Sequence, residues 1–135
     1  MSKSAPDEQS RILLTDDSNT IRKKIRAAVT DSLGNITYDP INRRGTVNLL
    51  TILAACRGEN DIEKVAEDYR GKNHGALKDD VISAVDELLK GPRAEFERLR
   101  ADTGYLEQVS LDGAARARDI SHKTMQEVRK HVGLA

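Results

Sequence analysis

The chain has 135 residues, with 22 Lys plus Arg against 22 Asp plus Glu, so net charge gives no bulk attraction to a polyanion and any such binding must come from segregated patches. Aromatics make up 3% of residues and Trp is absent, which argues against base stacking on an aromatic platform. No apolar run approaches the ~20 residues of a membrane span, no signal-peptide apolar stretch appears, and the single cysteine, Cys56, excludes an internal disulfide and fits a reducing compartment.

The first fifteen or so residues show no amphipathic period. Ser, Lys, Pro6, Asp7 and Gln9 read as a loop, followed by the apolar run Ile12-Leu13-Leu14. Asp17 sits where an N-cap carboxylate accepts from free helix amides. Ile21, Ile25, Ala28 and Val29 then form one apolar stripe, ended by the turn cluster Asp31 to Asn35. Residues 36–44 read as an extended connector containing Pro40. A second helix is expected from about Val47 to Arg57, apolar around most of its circumference and therefore central, with Gly58 as its left-handed terminator. Asp61 caps a third helix carrying Ile62, Val65, Ala66 and Tyr69. Gly71 and Gly75 bracket a loop holding His74.

The fourth helix carries Leu77, Val81, Ile82, Val85, Leu88 and Leu89 inward, and Gly91-Pro92 is expected to break or kink it, because Pro92 has no amide to donate. Asp102-Thr103-Gly104 reads as a turn before a last long helix reaching about Val132. The fold expected is an all-α bundle of five or six helices with an extended N-terminal arm.

Chemistry-bearing residues are few. Met1-Ser2-Lys3-Ser4 matches the last four letters of the Lys-Met-Ser-Lys-Ser signature, and a mobile lysine with hydroxyls suits a polyphosphate. Read from these residues alone, Lys3 is better taken as a solvated terminal lysine. Arg22, Lys23, Lys24 and Arg26 cluster on the first helix with few acids nearby. Arg43 and Arg44 lie on a loop beside Gly45, and Arg116, Lys123 and Lys130 recur every seven residues along the final helix. Such rows suit phosphates, and they are also what a soluble helix shows to water. His74, His122, His131 and Cys56 have no metal-ligand spacing. Asp16-Asp17 and Asp79-Asp80 stand in capping contexts, and the apolar neighbours of Cys56 favour a buried, inert thiol.

The order and wording of several segments resemble the C-terminal half of the tryptophanyl-tRNA synthetases. These are Met1 to Ser4, Ile12 to Asp16, Ile21 to Ile25, Ala28 to Ser32, Gly45 with Asn48-Leu49-Leu50, Tyr69 to Lys72 with His74-Gly75, and the closing Gly113 to Ala115, Val128-Arg129 and Val132 to Leu134. The Ala-Val-Thr-Asp-Ser block and the Asn-Leu-Leu helix start are the family-specific ones; the loop signature is shared by many class I aminoacyl-tRNA synthetases. The resemblance implies an ATP-dependent ligase, using Mg2+, that joins tryptophan to its tRNA through an adenylate and works as a homodimer.

By the same resemblance, residues 1–17 are an ATP-loop remnant and linker, and residues 18–135 a helical anticodon-binding domain. Lys3 takes the catalytic place of the signature's second lysine, with Ser2 and Ser4 beside it on ATP. Arg43, Arg44, Arg116, Lys123 and Lys130 are the candidate tRNA contacts. Arg44 stands where relatives commonly have proline, and Val47 where they commonly have serine. The family's nucleotide-binding α/β domain has no counterpart in these residues. The expectation is therefore a piece of the ligase that binds tRNA for tryptophan, docks on a separate catalytic domain, holds no cofactor by itself and forms no adenylate alone. A free-standing RNA-binding module and a helical protein-interaction domain are the alternatives. An intracellular location is expected, with the mitochondrion favoured over the cytoplasm and no membrane partner.

Overall fold

The computed structural model describes residues 7–134. Its order is a 3-10 turn, Glu8–Ser10, then α1 (Ser18–Ala27), α2 (Arg44–Arg57), α3 (Ile62–Glu67), α4 (His74–Ala101) and α5 (Thr103–His131), with no strand among the described residues. Two compact units are present, and the break between them falls after Arg93, inside α4.

The caps expected from sequence start α1 and α3, and Asp102, read from sequence only as part of a turn, caps α5. Asp17 accepts from the Thr20 amide at 2.7 Å, Asp61 from the Lys64 amide at 3.1 Å and Asp102 from the Tyr105 amide at 3.0 Å. Gly58 closes α2 in the left-handed region at φ 69°, where a side chain would clash with its own backbone. Gly45 answers a different need. A Cβ there would stand 2.2 Å from the Val29 carbonyl oxygen, so only glycine lets α2 start against the chain leaving α1.

One core serves the first unit. Ile21 and Ile25 of α1, Ile36 of the connector, Leu49, Leu50 and Leu53 of α2, Val65 and Tyr69 around α3, and Leu77, Val81, Ile82 and Val85 of α4 are all buried together. The 3.6-residue period places these side chains on facing stripes, and their removal from water is the main driving force. Tyr69 is buried with its hydroxyl donating to Asp80 and accepting from Arg57 at 3.3 Å. Burial first, then the Asp80 carboxylate, pushes the phenol up to about 12.

Several expectations need correction. α1 ends at Ala27, short of the Asp31–Asn35 cluster, because Lys78 of α4 donates to the Arg26 and Ala28 carbonyls at 3.0 and 2.7 Å and so satisfies the helix end. Val29 consequently leaves the apolar stripe and stands 87% exposed. α2 begins at Arg44 rather than Val47. Asp79 and Asp80 are not caps, since Asn73 caps α4 through the Ala76 amide at 2.9 Å. Asp79 pairs with Arg26, and Asp80 with Tyr69.

α4 also runs through Pro92 without interruption. Proline deprives the Leu88 carbonyl of its partner, but Leu88, Lys90, Gly91 and Pro92 are exposed, so water replaces the missing donor. In the second unit α5 carries no buried residue.

Candidate nucleic-acid interface

Ser2, Lys3 and Ser4 lie outside the described residues. The other candidates fall into contrasting environments, beginning with Arg43 and Arg44. Arg43 closes the connector between α1 and α2, and its side chain is 4% exposed. Its Nε and Nη2 donate to the two oxygens of Asp31 at 3.0 and 2.7 Å, and Nη1 donates to Thr37 Oγ1 at 2.8 Å and to the Asn35 carbonyl at 2.5 Å. This guanidinium is spent inside the connector. Arg44, the next residue, is exposed at the first position of α2 and makes no ion pair among the described residues.

Around Arg43 a polar cluster forms that sequence reading did not assemble. Thr46 donates its only hydroxyl proton to Asp31 at 2.7 Å, so His74 Nε2, 2.9 Å from Thr46 Oγ1, must supply the proton of that second bond. Arg43 Nη2, 3.5 Å from the same ring nitrogen, is then a neighbour and not a partner. The Arg43 hydrogen bonds, with those of Thr46 and the Leu33 amide, outweigh the burial that opposes them and hold the Asp31 carboxyl well below the usual carboxylate range. The first-helix basic cluster is also partly consumed: Lys24 is buried against Asp16 at 2.6 Å, and Arg26 is paired with Asp79. Arg22 and Lys23 stay exposed.

Arg116, Lys123 and Lys130 lie along one side of α5, exposed, with no ion pair among the described residues. Beside them runs an open groove of about 410 Å³ bordered by Arg118, Asp119, His122, Lys123 and Gln126. Seven-residue spacing alone passes over Arg118, His122 and Arg129, which share a second side of the helix at spacings of four and seven. A separate cleft of about 260 Å³ in the first unit brings Tyr38, Glu63, Glu67 and Arg70 together, with Arg70 and Glu67 already paired at 3.1 Å. No three His, Cys, Asp or Glu side chains gather as a metal site among the described residues. Cys56 is half-buried, and burial raises its thiol pKa, so it is a poor nucleophile.

Residues 1–90 match the model of the family described as tRNA synthetases class I (W and Y). The chain belongs to this family. Among synthetases similar to it, the tryptophan–tRNA ligase of Mycobacterium leprae is 43% identical over 133 residues, covering 98% of this chain and 38% of that relative. The mitochondrial tryptophan–tRNA ligase of Saccharomyces cerevisiae is 40% identical over 135 residues, covering 98% of this chain and 35% of its own length. The crystal structure of tryptophanyl-tRNA synthetase from Mycoplasma pneumoniae superposes with a TM-score of 0.74 at 27% identity, over all of this chain and 42% of that one. This synthetase-family chain thus spans about two-fifths of the length of the relatives it matches. Bacterial and mitochondrial relatives are comparably similar, and no helix among the described residues is long and apolar enough to cross a membrane.

Proposed function

We propose that the chain is the tRNA-binding, C-terminal portion of a tryptophan–tRNA ligase, holding the anticodon end while a catalytic domain supplies adenylate chemistry. The observation that carries this reading is similarity to tryptophan–tRNA ligases along 98% of the chain. Its tRNA-facing cations are Arg44, Arg116, Lys123 and Lys130, with Arg43 fixing the connector that leads into Arg44 at the start of α2. Ser2, Lys3 and Ser4 meet the phosphates of ATP, whose Mg2+ travels with the nucleotide. A positioned ammonium at Lys3 stabilises the charge that grows on the leaving pyrophosphate more than it stabilises bound ATP, which is what accelerates the step.

The exposed Leu13, Val29 and Ile41 supply an apolar surface for the catalytic domain of a homodimeric ligase. Two measurements on the purified chain test the proposal. ATP–pyrophosphate exchange with tryptophan should be absent, and a clear signal would overturn the division of labour. Fluorescence anisotropy should give tighter binding to tRNA for tryptophan than to the same tRNA with an altered anticodon, and equal binding would overturn the anticodon role.

A further inference from the structure

In the first unit the cations are mostly matched within the fold. Lys24, Arg26, Arg43, Arg57 and Lys64 pair with carboxylates, and Lys78 binds two carbonyls. The C-terminal part of α5 is arranged differently. From Gly113 to His131 it carries five Lys and Arg and only Asp119 and Glu127 in opposition, a net charge of +3 in a chain whose total is zero. None of those five cations forms an ion pair among the described residues, and every residue of the stretch is exposed.

At 3.6 residues per turn, Arg116, Lys123 and Lys130 lie within about 40° of one another around the helix, and Arg118, His122 and Arg129 form a second row about 120° away. The strip between the rows holds Asp119 and Gln126 and coincides with the 410 Å³ groove. Arg129 and Lys130 have a structural use as well, since cations in the last turn offset the helix dipole. That effect fades within one turn, so it gives no reason for Arg116, Arg118, His122 and Lys123 in the middle of the helix.

We infer that the two rows seat the phosphate backbone of RNA along the α5 groove, so that α5 fixes the position of the nucleic acid without reading its bases. The inference rests on the proposed tRNA-binding role and assigns the contact to this helix. Within a row, i to i+7 spacing sets cations about 10.5 Å apart, which distributes charge along a strand and not onto one phosphate. Gln126 adds an amide donor between the rows, and Asp119 is the single repelling carboxylate there. A basic helix can also lie on an anionic membrane, but such helices bury Trp, Phe or Leu. Leu106 and Leu111 of α5 precede the basic stretch, and from Gly113 to His131 there is no Trp, Phe or Leu, with the apolar side diluted by Gly113, Ala117 and Thr124.

The test measures binding of the full chain to tRNA for tryptophan, and to the same tRNA with an altered anticodon, across a range of salt concentrations. Each phosphate contact adds about 0.7 to 0.9 to the slope of log K against log salt. The double variant R118A/R129A should therefore lower the slope by about 1.5 on both RNAs alike, and R116A/K123A by a similar amount. D119N should tighten binding several-fold, and K90A, in the other unit, should change nothing. All substituted side chains are exposed, so circular dichroism should show helix content unchanged.

Slopes that ignore both double variants while the chain still prefers the cognate anticodon would overturn the α5 assignment and leave the ligase reading standing. Slopes that fall as expected, with no anticodon preference, would keep the assignment and remove the ligase reading's anticodon role. Absence of RNA binding, or vesicles of anionic phospholipid capturing the chain through these same arginines in place of RNA, would overturn the inference.

Discussion

The carboxylate of Asp31 accepts hydrogen bonds from Arg43 Nε and Nη2, the Thr46 hydroxyl and the Leu33 amide. It thereby ties the chain leaving α1 to the start of α2. Replacing it by Asn leaves Arg43 as a buried, unpaired charge. Removing one partner of such a pair costs about 3 kcal/mol or more, and the 22% exposure of Asp31 puts the lower end in force. The pH dependence follows from the direction of the shift. A carboxyl held low in the folded chain contributes stability that is fully present above its unfolded value of about 3.9 and is lost as pH falls through the folded value. Urea unfolding of D31N should thus show reduced stability near pH 7 and a shallower decline below about pH 4 than the parent chain. At this scale the sequence misleads by adjacency. Arg43 and Arg44 read as one basic step, yet one is internal and the other faces water. The difference depends on Asp31, Thr37 and Thr46, which no local pattern brings to the same place.

Elements were more legible than their ends. The apolar periods of α1 to α4 and the caps at Asp17, Asp61 and Gly58 act through neighbours within one turn, so they can be read along the chain. The early stop of α1 depends on Lys78, fifty residues on from Ala28 and invisible to any local rule. Pro92 shows the opposite error, in which a strong local rule is overridden by solvent. Exposed on a helix with water to take the Leu88 carbonyl, proline weakens the turn but does not end it. P92A restores an amide and removes the ring clash, a gain of about 3 kcal/mol in helix terms, less about 0.4–1 kcal/mol for the freer unfolded chain. Hydrogen exchange at Arg93 to Phe96 should slow on that substitution, and unchanged exchange would mean that the turn is held by something other than its own backbone.

For the whole molecule, burial and charge are distributed unequally. Every buried core side chain lies between Ile21 and Val85, whereas α5 has none, and the unpaired positive charge concentrates in α5. Helical stability in proteins comes mostly from packing an apolar face, since isolated helices are marginal even at favourable composition. Opening free energies should accordingly differ between the parts. In the free chain, α5 amides from Arg116 to Lys130 should exchange much faster than those of the Leu49–Leu53 turn, which open only with the core. Binding supplies what the fold withholds: an RNA strand seated on both cation rows favours the helical form of α5 over the frayed one. Saturating tRNA should therefore slow exchange across Arg116 to Lys130 and leave Leu49 to Leu53 nearly unchanged. If α5 is already as slow as α2 in the free chain, its charged side is not what waits for a partner, because some other surface has stabilised it first. If α5 is fast and stays fast with RNA bound, the backbone lies elsewhere on the molecule, with Arg44, Arg22 and Lys23 as the cations left to hold it.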